Sequence, residues 1–254
     1  MRPPVDTILA PPVPRHLRRI LPDRGGADPA ATPRGQVICF WDLFQPASLR
    51  ALDYLTAWHE RYGPAGLRVI GVHAPSTDAG RDEDVIAAAV DALGLAFEIV
   101  LDTDFELWRA YENPGWPARY VLAPGLRLVD VHFGEGGYAD AEGAIRDLVA
   151  DDGPVVAPLR ACDHDDALLV VPTDDVRGPY QGPYAAGEVW VVVDAPGAIE
   201  VDGERRELRR AGAHRVSAHD RHTAGTVAID SREGVEVLRT AFAPGLREAE
   251  PAPQ

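Results

Sequence analysis

The stretch Val37-Ile38-Cys39-Phe40-Trp41-Asp42-Leu43-Phe44-Gln45-Pro46-Ala47-Ser48-Leu49 decides how the chain is read. Val37 to Trp41 is an unbroken apolar run, as in a central strand covered on both faces. Asp42 offers a capping oxygen, Gln45 follows three residues later, and Pro46 suits a first helical turn. The stretch therefore predicts a buried strand that turns into a helix at the carboxyl edge of a sheet. That edge is where α/β folds place their sites, and a helix start there presents unpaired N–H groups. Neither a thiol nor an ionisable nucleophile stands at this helix start.

Outward from it, Leu49, Leu52, Leu55, Trp58 and Tyr62 recur at helical spacing, predicting a helix from about Pro46 to Tyr62 that Gly63-Pro64 stops. Leu67 to His73 reads as a second buried strand. Residues 82–93 read as a helix with Val85, Ile86, Ala89, Val90 and Leu93 on one face, and Gly94 closes it. Phe97 to Leu101 is a short strand and Phe105 to Tyr111 a short helix. Ala118–Leu122 and Leu126–Phe133 form a hairpin around Ala123-Pro124-Gly125, and Ala139–Ala150 a last helix. The order β-α-β-α-β-α-β-β-α predicts parallel crossovers first and an antiparallel hairpin last.

Asp151-Asp152-Gly153-Pro154 reads as a boundary. Beyond it no helical period is evident. Leu168–Val171, Val189–Val193, Ile199–Val201, Val227–Ile229 and Val235–Ala241 are strand-like, and Asp202-Gly203 is a hairpin turn. The expected organisation is a Pro-rich leader (1–34), an α/β domain (35–152), a small all-β sandwich or jelly-roll-like domain (153–246) and a tail (247–254).

The chain has 254 residues, a net charge of −15 and two cysteines. The charge argues against a nucleic-acid partner or an anionic membrane surface. Every basic residue other than histidine is arginine. The leader has no apolar core of signal-peptide length, and no stretch is long enough to span a membrane, so a cytoplasmic protein is expected.

The first domain resembles the thioredoxin fold, and more narrowly the TlpA/ResA-like and DipZ-type thiol–disulfide proteins. The resemblance is carried by Arg34-Gly35-Gln36-Val37, by Trp41 four residues before the helix-start position, and by Val69-Ile70-Gly71-Val72-His73. It continues through Leu101-Asp102-Thr103-Asp104, Trp108-Arg109-Ala110-Tyr111, Trp116-Pro117-Ala118 and His132-Phe133-Gly134-Glu135-Gly136. It implies a mixed sheet flanked by helices, a cis peptide before Pro117, and a peptide-docking groove formed by Trp116 and the helix start. DipZ-type proteins also carry a β domain after the thioredoxin domain, and this chain resembles a shorter relative.

The family's exchange chemistry needs Cys-x-x-Cys at the helix start, with an exposed low-pKa thiol and a second that resolves the mixed disulfide. Here the resemblance places Gln45 and Ser48 at those positions, framing Pro46-Ala47. An amide can neither attack nor leave, and a hydroxyl has no disulfide chemistry. The expectation is a thioredoxin-fold binding or interaction module without dithiol exchange. Its groove is expected at Trp41, Phe44, Gln45, Pro46, Ala47, Ser48, His73, Trp116 and Pro117. The aromatic patch there could equally pack on the leader or the β domain. A peptide or protein is the expected partner, with no cofactor and no metal.

Two enzymatic readings stand beside it. One is a thiol–disulfide or peroxide-reducing oxidoreductase using Cys39 or Cys162. Cys39 lies inside the apolar strand, however, where a buried inert thiol is the commoner case. The other uses Ser48 as nucleophile with His73 or Asp42 as base. A first-turn serine that bonds locally is the commoner case there. His214, His219 and His222 with Asp220 suggest a metal, but histidines scattered in a turn are more usual than a site. Asp163-His164-Asp165-Asp166 lacks the glycine and ligand spacing of a calcium loop and reads as solvated linker.

Overall fold

The computed structural model describes residues 8–21, 32–232 and 234–247. The expected tail lies outside these residues beyond Arg247, as do the leader residues 1–7 and 22–31. The chain forms two compact units that divide between Leu159 and Arg160.

In the first unit, β1 (Arg19–Ile20) precedes β2 (Gly35–Trp41), α1 (Pro46–Tyr62), β3 (Leu67–His73) and α2 (Glu83–Ala92). Then come β4 (Glu98–Leu101), α3 (Glu106–Ala110), β5 (Ala118–Ala123), β6 (Arg127–Phe133) and α4 (Tyr138–Val149). The strand order is β1-β4-β3-β2-β5-β6. β2, β3 and β4 run parallel, and β5 and β6 are antiparallel. The Trp116–Pro117 peptide is cis. This is a thioredoxin-like mixed sheet with its helices, as the resemblance implies.

Alternation along β2 sends Ile38 and Phe40 to one face and Val37, Cys39 and Trp41 to the other. The first face gathers Ile38, Phe40, Ile70, Val72, Tyr120 and Leu122 into a core. What closes that face is the leader: Ile8, Ala10, Val13 and Leu17 pack on it with Trp108 and Tyr111. The leader is pinned at both edges of the sheet. Leu128 N–H donates to Ile8 O at 2.8 Å beside β6, and Arg19 and Ile20 pair with Val100 and Ile99 of β4. Arg19 also bonds Glu98, a buried carboxylate that receives Arg68 as well. The Pro-rich leader thus contains a short strand, β1, that its local sequence does not announce.

On the second face, Cys39 pairs across β5 with Arg119. Arg119 is buried, with its guanidinium 5.3 Å from the Trp58 ring of α1 and 4.9 Å from the Tyr138 ring of α4. Gly71 of β3 leaves room on this face. A Cβ there would sit 2.8 Å from Ile99 Cδ1 and 3.0 Å from Trp41 Nε1.

The second unit is antiparallel throughout. Among the described residues, β7 (Leu169–Val170) pairs with β14 (Gly245–Leu246) alone. The other six are β8 (Val176–Arg177), β9 (Gln181–Val193), β10 (Gly197–Val201), β11 (Glu204–Leu208), β12 (Gly212–Ser231) and β13 (Val237–Ala243). They form one sheet in the order β11-β10-β12-β9-β13-β8. Val189, Val191, Ile199, Val201, Val227, Ile229 and Phe242 lie in its core. Asp202 and Gly203 both have positive φ, which suits the tight turn between β10 and β11. β12 is far longer than the expected Val227–Ile229; its polar half is held by backbone pairing to β9 across a register shift between Ala218 and Thr223.

Candidate functional site

β2 ends beside β3 at the carboxyl edge of the sheet, and the chain turns through residues 42–45 into α1. The N-cap of α1 is Gln45, whose side chain makes no capping bond, with Pro46 in the first turn. Asp42 therefore does not cap the helix as its position suggested. Its carboxylate is fully buried and turned inward. Oδ1 accepts Phe44 N–H at 3.3 Å, and Oδ2 accepts both the N–H and the hydroxyl of Ser76 from the loop after β3. Buried carboxylates are tolerated when bonded this densely. His73 Nε2 lies 3.3 Å from Asp42 Oδ1 without forming a directed hydrogen bond.

Two further bonds fix the helix start. The Ser48 hydroxyl accepts Asp42 N–H at 3.1 Å, and Gln45 Nε2–H donates to Ser76 Oγ at 3.1 Å. The turn is thus stitched both to its own helix and to the loop after β3. Opposite stands the cis peptide. The Trp116 indole N–H donates to Ala74 O at 2.9 Å, and Pro117 O accepts Gly134 N–H at 2.7 Å. The glycine-rich loop after β6 is held in turn by Arg119, which donates to Gly136 O and Gly137 O, and by an Arg50–Glu135 ion pair. Gly137 has a φ of +58°, and a Cβ there would run into the His132 ring, so this turn requires glycine.

Beside Trp116 is a cleft of about 430 Å³ lined by the loop residues Pro75, Ser76, Thr77, Asp78 and Arg81 together with Phe105 and Trp116. Trp116 packs on Trp108 with ring centroids 4.4 Å apart, and Phe105 lies edge-on to both. Arg81 sits over the Phe105 ring at 5.9 Å and donates to Thr103 O.

Burial sorts the residues expected at the groove. Gln45, Pro46, Ala47 and Trp116 are partly exposed. Trp41, Phe44, Ser48, His73 and Pro117 are buried. Trp41 and His73 pack edge to face at 4.9 Å under the sheet edge, so neither is a groove wall. Ser48 is 0% exposed, with its hydroxyl committed to the backbone of Asp42, which leaves no surface nucleophile there. The cleft residues Ser76, Asp78, Arg81 and Phe105 were not singled out from sequence. The available signal was a polar loop following a buried parallel strand, at the sheet edge where sites form.

Neither cysteine forms a disulfide among the described residues. Cys39 is 1% exposed, and burial pushes its thiol up to about 12, against the lowering effect of Arg119. Cys162 is partly exposed, in the second unit. The histidines of that unit go separate ways: His214 Nε2 bonds Arg210 O at 2.9 Å, and His219 Nε2 bonds the Tyr184 hydroxyl at 2.7 Å. Among the described residues no group of three or more His, Cys, Asp and Glu side chains is placed to hold a metal ion. Among them, too, no helix is long and apolar enough to cross a membrane.

No family model matches the chain. Over 125 residues it is 33% identical to the protein DipZ of Mycobacterium bovis and of Mycobacterium tuberculosis. The match takes in 48% of this chain but only 18% of either relative. Among solved structures, a thiol-disulfide isomerase from Corynebacterium glutamicum superposes with a TM-score of 0.47 at 16% identity, covering 56% of this chain and 97% of that one. In sequence the chain is thus similar to part of DipZ.

Proposed function

We propose that this protein is a thioredoxin-fold binding module that does not perform dithiol exchange. One observation carries the reading. The helix start facing the cis peptide holds a Gln45 amide tied to Ser76 and a buried Ser48 hydroxyl tied to Asp42. Exchange needs a thiolate at an exposed helix start and a second thiol behind it. The thiol of the same unit, Cys39, lies inside β2, protonated at any physiological pH.

The partly exposed Trp116 beside an open cleft supports a peptide or protein as the ligand. The density of hydrogen bonds around Asp42 supports a preorganised site. The partial exposure of Cys162 favours a second reading, a thiol reaction at that residue. An insulin-reduction assay on the purified protein, with Cys162→Ser and Cys39→Ser as controls, separates the two.

A further inference from the structure

Resting on that groove reading, we propose that the cleft between Ser76 and Trp116 takes a basic protein segment that presents one aromatic or large aliphatic side chain. Trp116 and Phe105 supply an apolar floor, and Trp108 supports Trp116 from behind. At about 430 Å³ the cleft is at the small end of ligand pockets, room for one large side chain and the backbone that carries it.

The charge around that floor is one-sided. Asp78 lines the cleft with its side chain fully in solvent. Asp104 and Glu106 flank Phe105 in sequence, and Asp82, Glu83 and Asp84 follow Arg81. Two of the nearby cations are already engaged. Arg81 lies on Phe105, donates to Thr103 O and is 3.8 Å from Asp78. Arg18 is shared between Glu83 and Asp84, and His16 bonds Glu106. Asp82 bonds only backbone N–H groups at the start of α2. Asp104 has no ion-pair partner among the described residues, and neither has Arg109 on α3, so the acidic groups outnumber the cations. The rim therefore keeps a negative surplus, in a chain whose net charge is −15. Such a field draws in cationic segments, raises their encounter rate and disfavours acidic ones. An isolated small cation would leave the aromatic floor unused. A segment with lysine or arginine on either side of an apolar residue uses both.

The test uses the full chain and two blocked peptides, Gly-Arg-Phe-Arg-Gly and Gly-Glu-Phe-Glu-Gly, with the Trp116 indole N–H resonance as the reporter. The arginine peptide should shift that resonance and bind more weakly as salt rises. Asp78→Arg combined with Asp104→Arg should reduce its affinity by about tenfold or more without changing the thermal midpoint. Equal or tighter binding of the glutamate peptide, with the same resonance moved, would overturn the charge assignment and leave the groove reading standing. If neither peptide moves the resonance, both the assignment and the groove reading fail.

Discussion

Gln45 reaches across the mouth of the site to donate from Nε2 to Ser76 Oγ at 3.1 Å. The bond joins Gln45, the N-cap residue of α1, to the loop after β3. Behind it the Ser48 hydroxyl receives Asp42 N–H. The position is therefore fully built in hydrogen bonds, and the scaffold around it is that of a thioredoxin-like protein.

On the proposed reading, thiols placed at positions 45 and 48 should confer exchange chemistry. Gln45→Cys with Ser48→Cys places a partly exposed thiol at a helix start and a buried one a turn behind, the arrangement exchange requires. The double variant should reduce insulin in the presence of dithiothreitol faster than the parent. Ser48→Ala alone should destabilise the chain by about 1–3 kcal/mol, because it leaves the Asp42 N–H buried without an acceptor. Denaturant unfolding measures that loss.

The two cysteines should differ sharply toward a thiol reagent. Cys39 is 1% exposed with its pKa pushed up to about 12, whereas Cys162 is partly exposed. Native protein should titrate with one thiol, lost in Cys162→Ser. The second should appear only after unfolding.

The leader should contribute to stability through Glu98. This buried carboxylate binds Arg19 of the leader and Arg68 of β3. Glu98→Ala should cost about 2 kcal/mol. That is less than the loss of a fully buried pair, because both arginines can recover solvent. Weaker protection from proteolysis within the leader would accompany the drop in thermal midpoint.

The second unit should weaken in mild acid. Burial and the nearby Arg210 lower the His214 pKa from 6.5 to about 4. Between those values the unfolded chain binds a proton that the folded chain does not, so stability rises with pH across that window and falls as pH drops from about 6.5 to 4. The loss attributable to this group is on the order of 3 kcal/mol at most. His214→Gln should flatten the pH dependence of unfolding over that range, read by denaturant titration at pH values spanning it.

Much of the first unit could be read from particular residues. The Val37–Trp41 run and Pro46 mark the β2–α1 junction, and periodicity sets α1, α2 and α4 to within a residue or two. The sequence pattern could not show which way side chains face at the junction. Trp41, Phe44 and His73 are adjacent to the site in sequence yet turn inward: Trp41 and His73 pack on each other at the ends of neighbouring strands, and Phe44 is buried beside Gly80. The leader strand Arg19–Ile20 is hidden in a Pro- and Arg-rich stretch; its pairing comes from tertiary contacts with β4 and Glu98, not local propensity. Half of β12 is polar and alternates poorly, so only Val227–Ile229 announces it, and backbone pairing to β9 supplies the rest. The cleft residues come together from the loop after β3, the α3 entrance and the cis-peptide turn, a convergence no single stretch records.

Insulin reduction by the unaltered protein tests the central claim most directly. With dithiothreitol as reductant, turbidity should rise no faster than in the protein-free control, while the Gln45→Cys, Ser48→Cys variant accelerates it. Turnover by the unaltered chain that disappears in Cys39→Ser or Cys162→Ser would contradict the account.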